Sequence, residues 1–128
     1  MEPTLHSGEL VNFFPEYYKK SEIVRGDLVA FRTQRHRELV VKRAVGIPGD
    51  LIRVDFGRLL INEKEIKNSI GQVYKINNQA VQGILNFTPK VPNGKIFVVA
   101  EKTNNSEDST ALGYIDVELV QGKLEKIN

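Results

Sequence analysis

The segment Leu39-Val40-Val41-Lys42-Arg43-Ala44-Val45 sets one lysine directly after an apolar run. A lysine ammonium has an ordinary pKa of roughly 10.4, and burial among apolar side chains can lower it by several units, each requiring about 1.4 kcal/mol from the surroundings. A neutral Lys42 amine would be a base. The segment closes in Gly46-Ile47-Pro48-Gly49-Asp50, a turn sequence in which proline fixes one dihedral and glycine supplies a positive one. A strand lysine ordinarily lays its stem over apolar surface and keeps its head in water, so Lys42 needs partners before chemistry can be assigned to it. Histidine offers no evident base here. The chain has His6 and His36 only, neither in a triad setting, and His36 is flanked by Arg35 and Arg37 as in a solvated loop.

Two further segments stand in order around the lysine: Met1-Glu2-Pro3-Thr4-Leu5-His6-Ser7-Gly8-Glu9 at the start, and Asn105-Ser106-Glu107-Asp108-Ser109 followed by Gly113 near the end. Together the three resemble the motifs of the type I signal peptidases, Ser/Lys endopeptidases of the S26 type. The family's Lys-Arg-x-x-Gly-x-Pro-Gly-Asp is complete from Lys42 through Arg43, Gly46, Pro48 and Gly49 to Asp50. Its Ser-Met-x-Pro-Thr-Leu-x-x-Gly-Asp is matched from Met1 through Pro3 and Leu5 to Gly8, with Glu9 as the acid, so that the family's serine falls one position ahead of Met1. Its third motif retains Ser106, Asp108, Ser109 and Gly113. Ala100, Glu101, Lys102 and Thr103 replace Gly-Asp-Asn-Arg, and Thr110 stands where the family has an arginine that pairs with the aspartate. These departures suit a divergent or conjugative-transfer branch.

The resemblance implies Lys42 as general base, Ser106 as the residue that orients its amine, and Asp108 as support. A buried Asp108 without the arginine needs another cation or several hydrogen bonds. The oxyanion donors, like the nucleophile, would lie ahead of Met1, and the chain as given is therefore expected to be a truncated, inactive form. The substrates implied are preproteins bearing signal peptides, bound as an extended strand and cut after small residues of Ala-x-Ala type. Extended binding needs a strand edge; Glu38 to Val41 is the expected one, with Met1, Leu5, Val11, Val40 and Val41 lining two small pockets. A missing N-terminal anchor would hold the domain at the extracytoplasmic face of the cell membrane.

Composition narrows the alternatives. The 128 residues carry a net charge of +2 with mixed signs, which gives no footprint for a nucleic-acid binder. There are no cysteines, hence neither disulfides nor thiolate metal sites; no cofactor or metal cluster is expected. Apolar runs fall far short of the roughly 20 residues of a membrane helix. Phe13, Phe14, Tyr17 and Tyr18 form an aromatic cluster suited either to packing or to the membrane interface.

Short strand-like runs at Glu9 to Phe14, Asp27 to Arg32, Glu38 to Val45, Leu51 to Val54, Arg58 to Ile61, Lys95 to Ala100 and Gly113 to Val120 predict one all-β domain of mostly antiparallel coiled sheets. Phe56-Gly57-Arg58 and Pro48-Gly49-Asp50 are expected hairpin turns, and Tyr17 to Ile23 a turn. The stretch from about 66 to 90, polar and rich in Asn and Gln, reads as a variable peripheral insertion able to add a hairpin. Two other functions share parts of this pattern: a catalytically inactive paralogue that binds extended peptides, and a self-cleaving repressor-type Ser/Lys domain. The complete Gly46 to Asp50 turn favours the peptidase over the latter.

Overall fold

Runs of β-branched and aromatic residues punctuated by glycine, proline and asparagine become nine strands in the computed structural model, which describes residues 11–33, 36–68, 70–100 and 108–126. In chain order they are β1 (Val11–Pro15), β2 (Leu28–Thr33), β3 (His36–Gly46), β4 (Ile52–Asp55), β5 (Arg58–Ile61), β6 (Lys64–Glu65), β7 (Lys95–Val99), β8 (Ile115–Asp116) and β9 (Val120–Lys126). Two helices join them, α1 (Gln79–Phe87) and the four-residue α2 (Ser109–Leu112). Every strand pairing is antiparallel: a six-stranded sheet in the order β1-β9-β2-β3-β7-β8 and a three-stranded sheet β4-β5-β6.

The larger sheet is covered on both faces, and this is why its central strands read as unbroken apolar runs. In β2, Val29 and Phe31 join Val40, Ala44, Ile96, Val98 and Ile115 in one cluster, while Leu28 and Ala30 meet Val41 and Leu124 in another. In β7, Phe97 and Val99 turn the other way, into a cluster with Ile52, Leu59, Ile61, Tyr74, Ile76, Val81, Leu85 and Val91.

The Phe56-Gly57 hairpin is as expected: Asp55 pairs with Arg58, and both turn residues have positive φ, 50° and 80°, the signature of a type I′ turn. Pro48-Gly49 is not a hairpin. Asp50 donates its amide to the Ile47 carbonyl at 3.0 Å with Gly49 at φ 94°, a turn that carries the chain from β3 in one sheet to β4 in the other. Tyr17–Lys19 forms the expected turn as a single 3-10 turn.

Two elements differ from expectation. The polar stretch from 66 to 90 contains α1 instead of a hairpin. Asn78 caps it by accepting from the Val81 amide at 3.1 Å, and Val81 and Leu85, four residues apart, are its buried residues; each contributes about 1.5–3 kcal/mol by burial. With Tyr74 and Ile76, this interval supplies part of the main core. The second difference is at the C-terminus, where Gly113 to Val120 is no continuous strand. Gly113 takes φ 78° after α2, β8 is short, a 3-10 turn spans Val117–Leu119, and the long strand is β9. Its pattern, with Gly122 and Lys123 between Val120 and Leu124, is too weakly apolar to announce a strand.

Candidate active site

Residues 40, 42 and 44 share one face of β3 by strand alternation, so Lys42 sits between Val40 and Ala44 with Val29 of β2 directly opposite. Its relative exposure is 0%. The ladder between β3 and β7 runs Arg43 to Val99 and Ala44 to Val98; carried one residue further, it brings Lys42 level with Ala100. There the second predicted residue enters. The Ala100 amide donates to Asp108 Oδ2 at 2.8 Å, which places the buried Asp108, 1% exposed, at the end of the β3 to β7 ladder, level with the lysine.

Among the described residues no arginine pairs with Asp108, and hydrogen bonds hold it, as the burial argument requires. It caps α2 by accepting from the Thr110 amide at 3.0 Å and from the Thr110 hydroxyl at 2.5 Å, both on Oδ1. Burial pushes its carboxyl above the usual carboxylate range; the Thr110 hydroxyl, the Ala100 and Thr110 amides and the charge of Lys42 oppose that rise. Ser109, wholly buried, accepts from the Val98 amide at 2.9 Å and fastens α2 to β7. Gly113 ends α2 at a φ that a side chain would resist.

The Gly46 to Asp50 turn is a scaffold for the lysine strand. Gly46 follows an irregularity in the β3 to β7 register, and a Cβ there would lie 3.0 Å from Phe97 Cβ. Asp50, 4% exposed, accepts from Arg25 Nε at 2.8 Å and from a second Arg25 nitrogen, from the Ile47 amide at 3.0 Å and from Asn62 Nδ2 at 3.1 Å. Arg25 holds its carboxyl down at about 2, aided by Ile47 and Asn62 against the opposing effect of burial. Because the folded value lies below the ordinary 3.8, the stabilisation is full above pH 4 and is lost as pH falls through 2. With the half-exposed Arg25 discounted for solvent screening, it contributes about 1–2 kcal/mol at neutral pH. Thermal melts of the native chain should therefore drop steeply from pH 4 to 2. Asp50→Asn should melt lower at pH 7 and lose most of that acid dependence; an unchanged pH profile would remove Asp50 from this role. Arg43 donates to the Gly26 carbonyl at 2.7 Å, tying β3 to the loop before β2.

The structure thus brings together Lys42, Asp108 and Ser109, and holds Arg43, Gly46, Pro48, Gly49 and Asp50 as their support. Val40 and Val41 lie buried on opposite faces of β3, in the two clusters already described. The Glu38 to Val41 stretch lies beyond the β7 ladder, which begins at Arg43. Met1, Pro3, Leu5 and Ser106 fall outside the described residues, and Val11 is described as the backbone opening β1. Among the described residues no cluster of His, Cys, Asp and Glu could hold a metal, and no helix is long and apolar enough to cross a membrane. A cavity of about 450 Å³ opens beyond the C-terminal end of β3, lined in part by Tyr18, Ile23, Ile47, Pro48 and Val117, and Lys42 does not line it.

Sequence reasoning missed the contributions of Thr110, Arg25 and Asn62. The Asp-Ser-Thr spacing ahead of a helix is itself a capping signal and could have revealed Thr110. Arg25 could not be found that way, being 25 residues from Asp50.

The profile of the signal peptidase, peptidase S26 family matches residues 1–127. Signal peptidase I of Bacillus licheniformis is 35% identical over 126 residues, covering 95% of this chain and 68% of the relative. Signal peptidase IB of Staphylococcus aureus strain COL is 31% identical over 136 aligned positions, 97% of this chain and 70% of the relative. The crystal structure of a signal peptidase I from Enterococcus faecalis V583 shares the fold with a TM-score of 0.61 at 24% identity, over 82% of this chain and 98% of that one.

Proposed function

The chain belongs to the signal peptidase S26 family, and from that membership we propose that it is the catalytic domain of a signal peptidase I-like endopeptidase that removes signal peptides after small residues with a Ser/Lys dyad. The observation that carries the reading is a wholly buried lysine at the family's base position, beside the carboxylate of the family's third motif. The dyad's serine would be the residue that the family motif places one position ahead of Met1, and a form of the protein that carries it is the one to test.

Burial disfavours the ammonium of Lys42, so the amine can take the hydroxyl proton as serine attacks the scissile carbonyl. The proton then passes to the leaving amine, and the peptide is left as a serine ester. Lys42 next takes a proton from water, which attacks the ester and frees the serine. Ser106 fixes the direction of the amine. Oxyanion donors near the serine hold the tetrahedral intermediate, each worth on the order of 3 kcal/mol. The substrate lies extended along Glu38 to Val41, its backbone held by the strand and its small side chains by pockets that include Met1, Leu5, Val11, Val40 and Val41. Phe13, Phe14 and Tyr17, each partly exposed, meet the membrane interface on the extracytoplasmic side.

A serine-bearing form of the protein, incubated with a preprotein carrying an Ala-x-Ala site, tests the reading. Cleavage directly after the second alanine, blocked by a bulky residue at either alanine, is the expected result. Tight binding of the peptide without turnover would replace the peptidase by a peptide-binding paralogue.

A further inference from the structure

We infer that Thr110 is a positioning residue for Lys42: its hydroxyl, with the two backbone amides, takes the place of a guanidinium in holding Asp108 as a carboxylate beside the base. The inference rests on the Ser/Lys reading for its purpose and on geometry for its content. Asp108 is buried and can accept about four hydrogen bonds when ionised. Oδ2 is fixed by the Ala100 amide, and Oδ1 receives both the amide and the hydroxyl of Thr110. The two amides can only donate. They therefore assign both oxygens as acceptors and leave the Thr110 hydroxyl, 2.5 Å away, to donate as well. Three donors on a buried carboxylate favour its ionised form and oppose the rise that burial imposes, without a fixed cation. Among the described residues the charged group acting on it is Lys42.

The consequence differs from that of an aspartate paired with arginine. A guanidinium is permanently charged and would repel a proton on a neighbouring amine, lowering its basicity. A hydroxyl carries no charge. The full field of the Asp108 carboxylate then falls on Lys42, and the amine and the carboxyl titrate as a coupled pair. Thr110 also spans both structures involved, since it lies within α2 and grips the cap of that helix. Fixing Asp108 fixes Ala100, the position level with Lys42.

Carbon-13 and nitrogen-15 NMR of the 128-residue chain reads this without any need for cleavage. The probes are the Asp108 carboxyl carbon and the Lys42 Nζ, followed against pH. In Thr110→Val the Asp108 midpoint should rise by roughly one pH unit and the Lys42 midpoint should fall, while Thr110→Ser should keep both where they are. A fall of the Asp108 midpoint in Thr110→Val would show the hydroxyl accepting from a protonated acid and would overturn the inference. So would an unmoved Lys42 signal or failure of serine to substitute. If Thr110→Val does not fold, the unaltered chain decides: the Asp108 carbon must register the Lys42 titration step, and a carboxyl blind to that step refutes the coupling. Loss of the peptidase reading would leave these titrations intact, and failure here would leave cleavage to be judged on its own.

Discussion

Lys42→Met in a serine-bearing form of the protein is expected to lower preprotein cleavage by at least about 1,000-fold. Methionine is close to lysine in length and matches the apolar wall made by Val40, Ala44 and Val29, so the chain should still fold, with a lower melting temperature because the buried Asp108 loses the cation acting on it. What disappears is the proton acceptor. Lys42→Arg should be equally inactive, because a guanidinium cannot be deprotonated at working pH. Initial rates read beside thermal melts check both halves. Activity within tenfold of the parent in either variant would remove Lys42 from the mechanism, whatever the family.

Gly122→Ala should cost about 3 kcal/mol and lower the melting temperature by about 10 °C. Gly122 faces Pro15 of β1 on one side and Ala30 of β2 on the other. A Cβ at this position would lie 2.5 Å from the Phe14 carbonyl oxygen, 2.7 Å from a ring carbon of Phe13 and 3.0 Å from Pro15 Cα. Two of these are backbone atoms that cannot swing aside, so β1 must separate from β9. Gly83 in α1 makes the opposite case. Nothing lies within 4 Å of a Cβ there, and Gly83→Ala should raise stability by about 0.5–1 kcal/mol through helix propensity. Calorimetry of the two variants should give opposite signs; a neutral Gly122→Ala would mean that β1 is not held at that register.

The all-β class and the turn that follows the Lys42 strand were legible in the sequence, and the reason is physical. Lys42 and the Gly46 to Asp50 turn are contiguous, so a strand lysine, a turn proline and a turn glycine declare themselves in one short run. The Phe56-Gly57 hairpin is local in the same way, and β5 was bounded correctly at Arg58 and Ile61. Strand β9 could not be read, since its place in the sheet is set by β1 and β2 through Gly122, a residue whose lack of a side chain is what the packing needs. Helix α1 left a legible trace, an asparagine cap followed by Val81 and Leu85 and then Pro89, but Asn and Gln in its surroundings masked the spacing. The support of Asp108 by Thr110 is local to one helix cap, whereas that of Asp50 by Arg25 depends on which loops the fold brings together. Pairing rules along the chain do not reach the contact between Arg25 and Asp50 at all.

The irregular register between Ala44 and Gly46 gives β3 two phases. Past it, Gly46 pairs with Phe97; before it, Ala44 pairs with Val98, so Val45 is an unmatched residue interposed between the turn and the lysine. Even-numbered positions from 40 to 44 face one interior and odd-numbered ones the other, and a strand enclosed on both sides cannot slide without exchanging the two. Val45 therefore acts as a parity element. Removing it would leave the turn in place and rotate the upstream strand by one position, so that the side chain presented beside Asp108 would be that of Val41 instead of the amine of Lys42.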